Sequence, residues 1–457
     1  MREVTLKEVL AARERRAEAQ RRLLKQYARP VLSFTMNIPG PVKDSALIRR
    51  GFEEGLRLLS GALKEAEVPV VFESEIREVT GSEWLGVLDA TAEKLKSLCV
   101  RIEEDHPLGR LFDMDVIDAD GHKLERPVER RCFVCGAAGR SCASRRLHSL
   151  EELSAAVSVL LCDGMREADA ERVEALATAA LLEEVETTPK PGLVDRNNNG
   201  SHRDMTPELF RRSAWALRGT WREFFLTGAE TAELPAADAF AELRAIGRDA
   251  EHKMLDATDG VNTHKGAIFT LGTVCAAIGR LWRPEDPCRD PEQITGECAG
   301  LCAQAVEDDF LVLRQRGEAR STGERLYLEF GHRGVRGELA DGLPAVLETA
   351  LPSLEADLAK GKSRNDAGVY ALLRLIARGE DTNMIKRGGM KLAEDIAAEI
   401  RAFLEAEPDP KLSRIEEWDR LFIRRNLSPG GCADLLAVSY FLLDWKNCKD
   451  PGENRSC

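Results

Sequence analysis

The sequence predicts a multidomain protein, with a mixed α/β domain over residues 1–163 followed by an all-α helical domain over residues 164–457. Three observations predict it. At 457 residues the chain exceeds what one hydrophobic core serves, so two or three domains are expected. Short β-rich runs are confined to about Arg29–Cys142. After Ser149 the β signal stops, and Ala-, Leu-, Glu- and Arg-rich segments with helical periodicity take over. No Pro- or Gly-rich linker marks the join, which is expected near Cys162 to Asp169.

Composition excludes several function classes. With 43% hydrophobic and 31% charged residues, the chain has an ordinary globular balance. A net charge of −13 and a pI near 5.3 disfavour a general nucleic-acid or anionic-membrane surface, so any phosphate ligand must meet a local pocket. The opening "MREVTLKEVLAARERRAEAQRRLLKQ" is charged throughout and lacks the apolar stretch of a secretion signal. No run approaches the length of a membrane span, and a cytoplasmic location is expected. In that reducing setting most of the twelve cysteines, such as Cys162, Cys275 and Cys302, read as small buried hydrophobes.

In the first domain "PVLSFTMNI", "VPVVFES", "LCVRIEE" and "LFDMDVIDADGHKLERPV" read as strands, with Asp120-Gly121 as a hairpin turn. Asp113 and Asp115 stand at i and i+2, so both carboxylates point to one face while Phe112, Met114 and Val116 point into the core. Paired strand carboxylates suit Mg²⁺ in phosphoryl or nucleotidyl transfer; the alternative is a solvated strand face. Nucleotidyltransferases usually carry a Gly-Ser pair ahead of such a dyad, and Gly109-Arg110 departs from that pattern. In "RRCFVCGAAGRSCASRRLH", Cys132 and Cys135 form a CxxC pair that Cys142 and His148 complete to a three-cysteine, one-histidine Zn²⁺ set. The other reading is a basic phosphate-binding segment with reduced thiols, given Arg131, Arg140, Arg145 and Arg146.

The second domain opens with "SLEELSAAVSVLLCDGMREADAERVEALATAALLEEVE", and further helices are expected near Leu209–Leu226, Ala236–Leu255, Ala267–Leu281, Ala303–Arg314, Ala367–Ile376, Met390–Leu404 and Gly431–Leu443. Chemistry is expected in the polar loops between them, where glycines join basic residues, carboxylates and amides. In "LSPGGCADLL", Ser428 fits an N-cap and Pro429 the first helical position. Gly430 and Gly431 then fall in the first turn, at a cost of about 1 kcal/mol each relative to alanine. Approach of a phosphate to bare backbone would offset that cost, with Asp434 as a metal ligand one turn on; tight helix–helix contact is the alternative.

In "KSRNDAG", Ser363 to Asp366 has capping-box spacing, and Asp381 or Thr382 suits the cap of the next helix. Beside Lys362, Arg364, Lys386 and Arg387 these acids make a mixed site suited to a polyphosphate with Mg²⁺. His264 and Lys265, with Thr263 as a candidate cap, sit at a helix start beside Asn262 and Gly266, where they suit a phosphate or base. His202 and Asp204 raise the same reading in the stretch Lys190–Phe210, after which Thr206-Pro207 restarts a helix.

Residues from about Ala175 to Trp445 resemble triphosphoribosyl-dephospho-coenzyme A synthase through "EVETTPKPGLVDRNNNGSHRDM", "GVNTHKGAIFTLG", "KSRNDAG", "DTNMIKRGG" and "LSPGGCADLLA", in that order. The resemblance implies attack by a ribose hydroxyl of 3′-dephospho-coenzyme A on the anomeric carbon of ATP, with adenine leaving and the triphosphate kept. Asp195, Asp204, Asp366 and Asp434 are then expected to bind Mg²⁺ or stabilise an oxocarbenium-like transition state, one of them acting as base. Lys190, Lys265 and Arg387 are expected to hold phosphates, with His264, Arg364, Ser428, Gly430 and Gly431 completing the nucleotide site.

Residues from about Val4 to Leu153 resemble the citrate lyase holo-acyl-carrier-protein synthase, also called apo-citrate lyase phosphoribosyl-dephospho-coenzyme A transferase. The matching blocks are "SFTMNIPGPVKDS", "EEDHPLGRLFDMDV" and "RRCFVCGAAGRSCASRRLHSLEEL". This implies attack by a serine hydroxyl of the citrate lyase acyl carrier protein on the phosphate nearest the ribose, expelling pyrophosphate. Asp113 and Asp115 are expected to bind Mg²⁺ and Lys43, Arg110 and Arg145 to contact phosphate, while Asn37 and the bend "IPGP" shape the pocket. Together the resemblances imply a bifunctional enzyme. Two other readings stay open: the equivalent pair serving malonate decarboxylase, which "NIPGPVKDS" and "GRLFDMDV" disfavour, and a non-catalytic zinc- and nucleotide-binding regulator of a carrier protein.

Overall fold

The computed structural model describes residues 2–448. They form two compact units, one holding residues up to Asp169 with Pro284–Asp286, the other Ala170–Arg283 and Pro287–Cys448. Among the described residues no helix is long and apolar enough to cross a membrane.

The first unit runs α1 (Leu6–Tyr27), β1 (Val31–Met36), α2 (Ala46–Glu65), β2 (Val70–Glu78), β3 (Gly81–Leu88), α3 (Ala92–Asp105), β4 (Phe112–Ile117) and α4 (Gly139–Arg145). The charged N-terminal stretch is a helix because Thr5 and Glu8 form a reciprocal capping box. The four strands pair antiparallel in the order β2-β3-β1-β4. On one face Leu23 of α1 meets Val31, Leu85 and Val87. On the other, Phe34 stacks on Phe52 of α2 at 4.8 Å and meets Phe112 edge-on at 5.5 Å.

"LCVRIEE" is not a strand. It lies in α3, capped by Thr91, with Leu98, Cys99 and Ile102 buried along one stripe. Tertiary burial has overridden the β preference of Val100 and Ile102. The third strand is instead "GSEWLGVL", which the sequence reading missed. β4 does alternate as expected: Phe112, Met114 and Val116 are buried while Asp113 and Asp115 are half-buried on the opposite face. Those two carboxylates stand across from Thr35 and Ser33 of β1. The turn around Asp120-Gly121 is also present, with the His122 carbonyl accepting from the Asp118 N–H.

α5 (Leu150–Glu186) starts on a capping box between Ser149 and Glu152 and contributes residues to both units. The second unit continues with α6 (Pro207–Ala216), α7 (Arg218–Glu230), α8 (Ala236–Ala257), α9 (Lys265–Arg280), α10 (Pro291–Arg316), α11 (Thr322–Phe330), α12 (Gly334–Ala340), α13 (Leu351–Ala359), α14 (Arg364–Ala377), α15 (Thr382–Gly388), α16 (Met390–Ala406), α17 (Leu412–Arg424) and α18 (Gly430–Asn447). The expected Leu209–Leu226 helix is two, broken at Leu217, and α10 begins twelve residues before Ala303. α9 and α18 are apolar nearly all round, and both are buried in the core. Their N-termini meet, since a Cβ on Gly266 would lie 1.9 Å from Asp434 Oδ2. Of the cysteines read as buried, Cys275 and Cys302 are so, whereas Cys162 is half-buried.

Candidate active sites

In the first unit a cavity of about 1090 Å³ is lined by Asp113, Asp115, Arg110, Asn37, Lys96 and Arg130 among others. β4 is an edge strand on its outer side, and polar side chains satisfy that edge. The Met114 N–H donates to Glu103 Oε1 at 2.9 Å, and Lys96 Nζ donates to the Met114 carbonyl at 3.1 Å. Glu103, buried on α3, also pairs with Arg126 and Arg130. Arg130 reaches within 3.9 Å of Asp113, and Lys123 pairs with Asp115 at 2.5 Å.

Arg110 donates through Nη2 to the Arg131 carbonyl, while its Nε and Nη1 are buried without a partner. Burial, then the neighbouring charges of Arg130 and Arg126, push its guanidinium below the usual value. A crowd of like charges with unpaired donors is a site that an anion would relieve. Two expected phosphate contacts lie elsewhere: Lys43 is spent on the Ile38 carbonyl, and Arg145 is exposed on α4, with Arg146 lining the cavity in its place. Glu103 escaped the sequence reading because a stretch read as strand hid the helix face that carries it, and with it went the pairing with Arg126 and Arg130.

The sulfur-rich segment folds into a cluster on the same cavity wall. Ligand atoms of Cys132, Cys135, Cys142 and His148 all lie within 4.8 Å of one another. Burial pushes the Cys132 thiol up, but N–H groups of Cys135 and Val134 outweigh it and bring the thiol down to about 7. Hydrogen bonding from the Cys135 side chain, then burial, pushes Cys142 up to about 11. A second grouping, Asp118, Asp120 and His122, lies on the exposed turn.

In the second unit the loop that opens at Thr187 is built around buried Asp195. Its carboxylate accepts from Thr188 Oγ1 at 2.7 Å and from the N–H groups of Lys190, Asn197 and Asn198 at 3.0, 2.7 and 3.0 Å. Asn365 clamps Thr188 from α14, accepting its N–H at 2.9 Å and donating to its carbonyl at 2.8 Å. Asp419 of α17 accepts from the Gly192 N–H and the Asn198 amide, each at 2.9 Å. The loop's asparagines and aspartate therefore fix its own shape.

Lys190 is buried and pairs with Glu184 of α5, whose carboxyl is pushed up by burial. Nearby, His264 is 3% exposed; its Nδ1 meets Ser213 Oγ at 2.7 Å and its Nε2 has no partner. Burial, then Lys190, pushes its imidazole down to about 3, so the ring is neutral. Asp434 is raised well above the usual carboxylate range by burial, then by Glu184 and Asp381. Asp195, Lys190 and Glu184 are linked by contact, Asp366 joins them through Asn365 and Thr188, and Asp434 lies within electrostatic reach of Glu184.

Asp381 caps α15, accepting from Asn383 and Met384 N–H groups at 2.8 and 2.9 Å, and its other oxygen accepts from the Cys432 N–H at 2.9 Å. This carboxylate fills the start of α18. Neighbouring side chains close in Gly430 and Gly431: a Cβ would lie 2.8 Å from Asn383 Nδ2 and 3.0 Å from Asp381 Oδ2 respectively. Ser428 is not the N-cap; α18 begins at Gly430 with no side-chain cap, and Ser428 Oγ meets His202 Nε2 at 2.8 Å. Thr263 caps nothing either, since its hydroxyl donates to Ser213.

A second group gathers at Arg387, which donates to the Ser201 carbonyl at 2.8 Å and lies 3.2 Å from His202 Nδ1. Asp204 is exposed within electrostatic reach of both. Lys265 is exposed and pairs with Glu251 at 2.6 Å; Arg364 is held by Glu183 and Asp444. Two clefts border the meeting of α9 and α18. One, of about 330 Å³, has Phe224, Phe240 and Phe269 with Arg244 and Lys265; the other, of about 370 Å³, has Arg333, Arg378, Asp381 and Gly431.

Comparison with known proteins joins the two units to two families. The family described as ATP:dephospho-CoA triphosphoribosyl transferase matches residues 170–451, and that described as apo-citrate lyase phosphoribosyl-dephospho-CoA transferase matches residues 4–163. "Protein CitXG" of Haemophilus influenzae is 34% identical over 97% of each chain, and "Protein CitXG" of Leuconostoc mesenteroides subsp. cremoris is 30% identical over 96% of this chain and 97% of its own. A "Probable 2-(5''-triphosphoribosyl)-3'-dephosphocoenzyme-A synthase" of Citrobacter koseri is 43% identical over 58% of this chain and 88% of its own. The chain therefore belongs to the CitXG family, in which an apo-citrate lyase phosphoribosyl-dephospho-CoA transferase is fused to an ATP:dephospho-CoA triphosphoribosyl transferase.

Proposed function

We propose that each unit carries one step of making and attaching the citrate lyase prosthetic group. The helical unit joins ATP to 3′-dephospho-coenzyme A, giving 2′-(5″-triphosphoribosyl)-3′-dephospho-coenzyme A and adenine. A bond forms between the attacking ribose oxygen and the anomeric carbon, and the bond from that carbon to adenine breaks. The α/β unit then passes the phosphoribosyl-dephospho-coenzyme A to a serine of the citrate lyase acyl carrier protein: the serine oxygen bonds to the phosphorus nearest the ribose and pyrophosphate leaves.

The observation that carries the reading is Arg110, whose two buried, unpartnered guanidinium nitrogens stand beside the strand carboxylates Asp113 and Asp115. Those carboxylates fit Mg²⁺, which binds one or two carboxylates and takes its other oxygens from phosphate and water. Bound there, the ion would neutralise charge on the pyrophosphate. Arg110 and Arg130 supply the remaining cationic contacts. The exposed Arg131, Arg145 and Arg146 suit docking of an acidic carrier protein.

In the helical unit Asp366 and Asp434 are the carboxylates proposed to meet Mg²⁺; a cation beside Asp434 would reverse the upward push of Glu184 and Asp381. Arg387 and Lys265 are placed for phosphate, and neutral His264 offers Nε2 to a substrate polar group. The phenylalanine-walled cleft suits a purine. The free thiols of the described cysteines fit the cytoplasmic setting expected from the sequence.

The test is incubation of the chain with ATP, Mg²⁺, 3′-dephospho-coenzyme A and apo-acyl carrier protein. Adenine and pyrophosphate release with a matching mass gain on the carrier is the expected result. A folded chain that binds nucleotide and produces neither would make it a binder rather than an enzyme.

A further inference from the structure

We propose that Cys132, Cys135, Cys142 and His148 hold a structural Zn²⁺ ion, and that this ion fixes the arginine wall of the cavity in the α/β unit. The donor set is soft thiolate and imidazole, which selects Zn²⁺ over the oxygen-seeking Mg²⁺. Its spacing fits. Zn–S bonds of about 2.3 Å in a tetrahedron place sulfurs roughly 3.8 Å apart. Cys135 and Cys142 sulfurs lie 3.4 Å apart, and His148 Nε2 lies 3.3 Å from the Cys135 sulfur. Small outward shifts admit the ion.

The backbone around the CxxC pair is already shaped for a metal. The Cys132 N–H donates to the Ala137 carbonyl at 2.7 Å and the Gly136 N–H to the Cys132 carbonyl at 2.9 Å, closing a tight hairpin through the bridge between Arg131 and Ala138. Gly136 at φ +72° follows the second cysteine, where a side chain would be strained. The segment has little else to hold it, because most residues from Glu129 to Ser149 are exposed or half-buried. A segment with so little apolar burial gains its order from a staple.

Four protein ligands close the set, so the ion has no open position for chemistry and acts through the residues it fixes. The same hairpin supplies the Arg131 carbonyl that receives Arg110, and the Arg130 carbonyl accepts the Gly139 N–H at 2.9 Å. Arg130 in turn reaches Glu103 and Asp113. Moving the hairpin therefore moves both arginines. The ion's effect on activity rests on the transferase reading of this cavity; its presence does not.

The experiment uses the full chain. Metal analysis should find one Zn²⁺ per chain, lost in Cys132→Ser and Cys142→Ser. Replacement by Co²⁺ should give thiolate charge-transfer and tetrahedral d–d absorption. Stripping the metal should lower transfer to the carrier protein about tenfold or more and Zn²⁺ should restore it, while adenine release by the helical unit stays level and reports an intact fold. A metal-free wild-type chain with freely titrating thiols and full transfer would overturn the proposal and leave the transferase reading standing. A Zn²⁺-loaded chain with wild-type transfer after stripping would overturn the positioning role. Zn²⁺ bound with no transfer under any condition would sink the transferase reading of the cavity and leave the metal site itself supported.

Discussion

At His264 burial strips the imidazole of water and Lys190 adds a like charge, so protonation is suppressed down to about pH 3. The unfolded chain protonates the same ring near its ordinary 6.5. Between those values the unfolded state binds a proton that the native state refuses. This contribution to stability is therefore whole above 6.5 and is lost as pH falls, at about 1.4 kcal/mol per pH unit. His264→Gln should remove that slope: urea unfolding at pH 6.5 and about 5 should show a difference between wild type and variant that changes by about 2 kcal/mol. At Gly266, alanine is favoured in a helix by about 1 kcal/mol, yet its Cβ would collide with Asp434 Oδ2. Gly266→Ala should leave the melting temperature within a few degrees of wild type while lowering adenine release about tenfold or more, because a carboxylate displaced by about 1 Å is misaligned for its task. Unchanged release would remove Asp434 from the reaction. The type of residue at these positions was legible in the sequence as polar, glycine-rich loops. Their partners were not: Asp381 reaches the Cys432 N–H and Asp419 the Gly192 N–H across long stretches of chain, and pairing at such separation leaves no local pattern.

Asp381 ties two elements together, capping α15 and closing the first turn of α18 with one carboxylate. Removing it leaves three N–H groups without an acceptor, those of Met384 and Cys432 buried. Asp381→Ala should cost about 3 kcal/mol, read as a shift in the denaturation midpoint, and Asp381→Asn should recover part of it because one oxygen remains. Equal stability in all three would show that water replaces the cap. Periodicity located the long apolar helices α8, α9, α16 and α18 because their buried stripes repeat over several turns. It missed α11, α12, α13 and α15, where fewer than ten residues give the pattern too few repeats, and also the 13-residue α17, whose buried stripe of Ile415, Asp419 and Phe422 includes an acid. In "LCVRIEE" local β preference and helical burial disagreed, and packing against the sheet decided. From sequence the two glycines of α18 suited either phosphate approach or tight packing, and Asn383 and Asp381 pack closely against Gly430 and Gly431.

Across the whole molecule, the ordered sequence blocks carried more than composition did, because their order along the chain matches two families at once. The family match over nearly the full chain puts both steps on one polypeptide, while the separate units imply separable sites. Single substitutions should therefore divide the overall reaction. The most direct measurement follows adenine release and carrier-protein mass together in wild type, Asp113→Asn and Asp434→Asn, each supplied with ATP, Mg²⁺, 3′-dephospho-coenzyme A and apo-carrier. Asp113→Asn should release adenine at the wild-type rate while the carrier gains no mass; Asp434→Asn should release little adenine, yet load the carrier when given preformed triphosphoribosyl-dephospho-coenzyme A. Loss of both activities from either substitution in a folded chain, or full activity in both variants, would contradict the account.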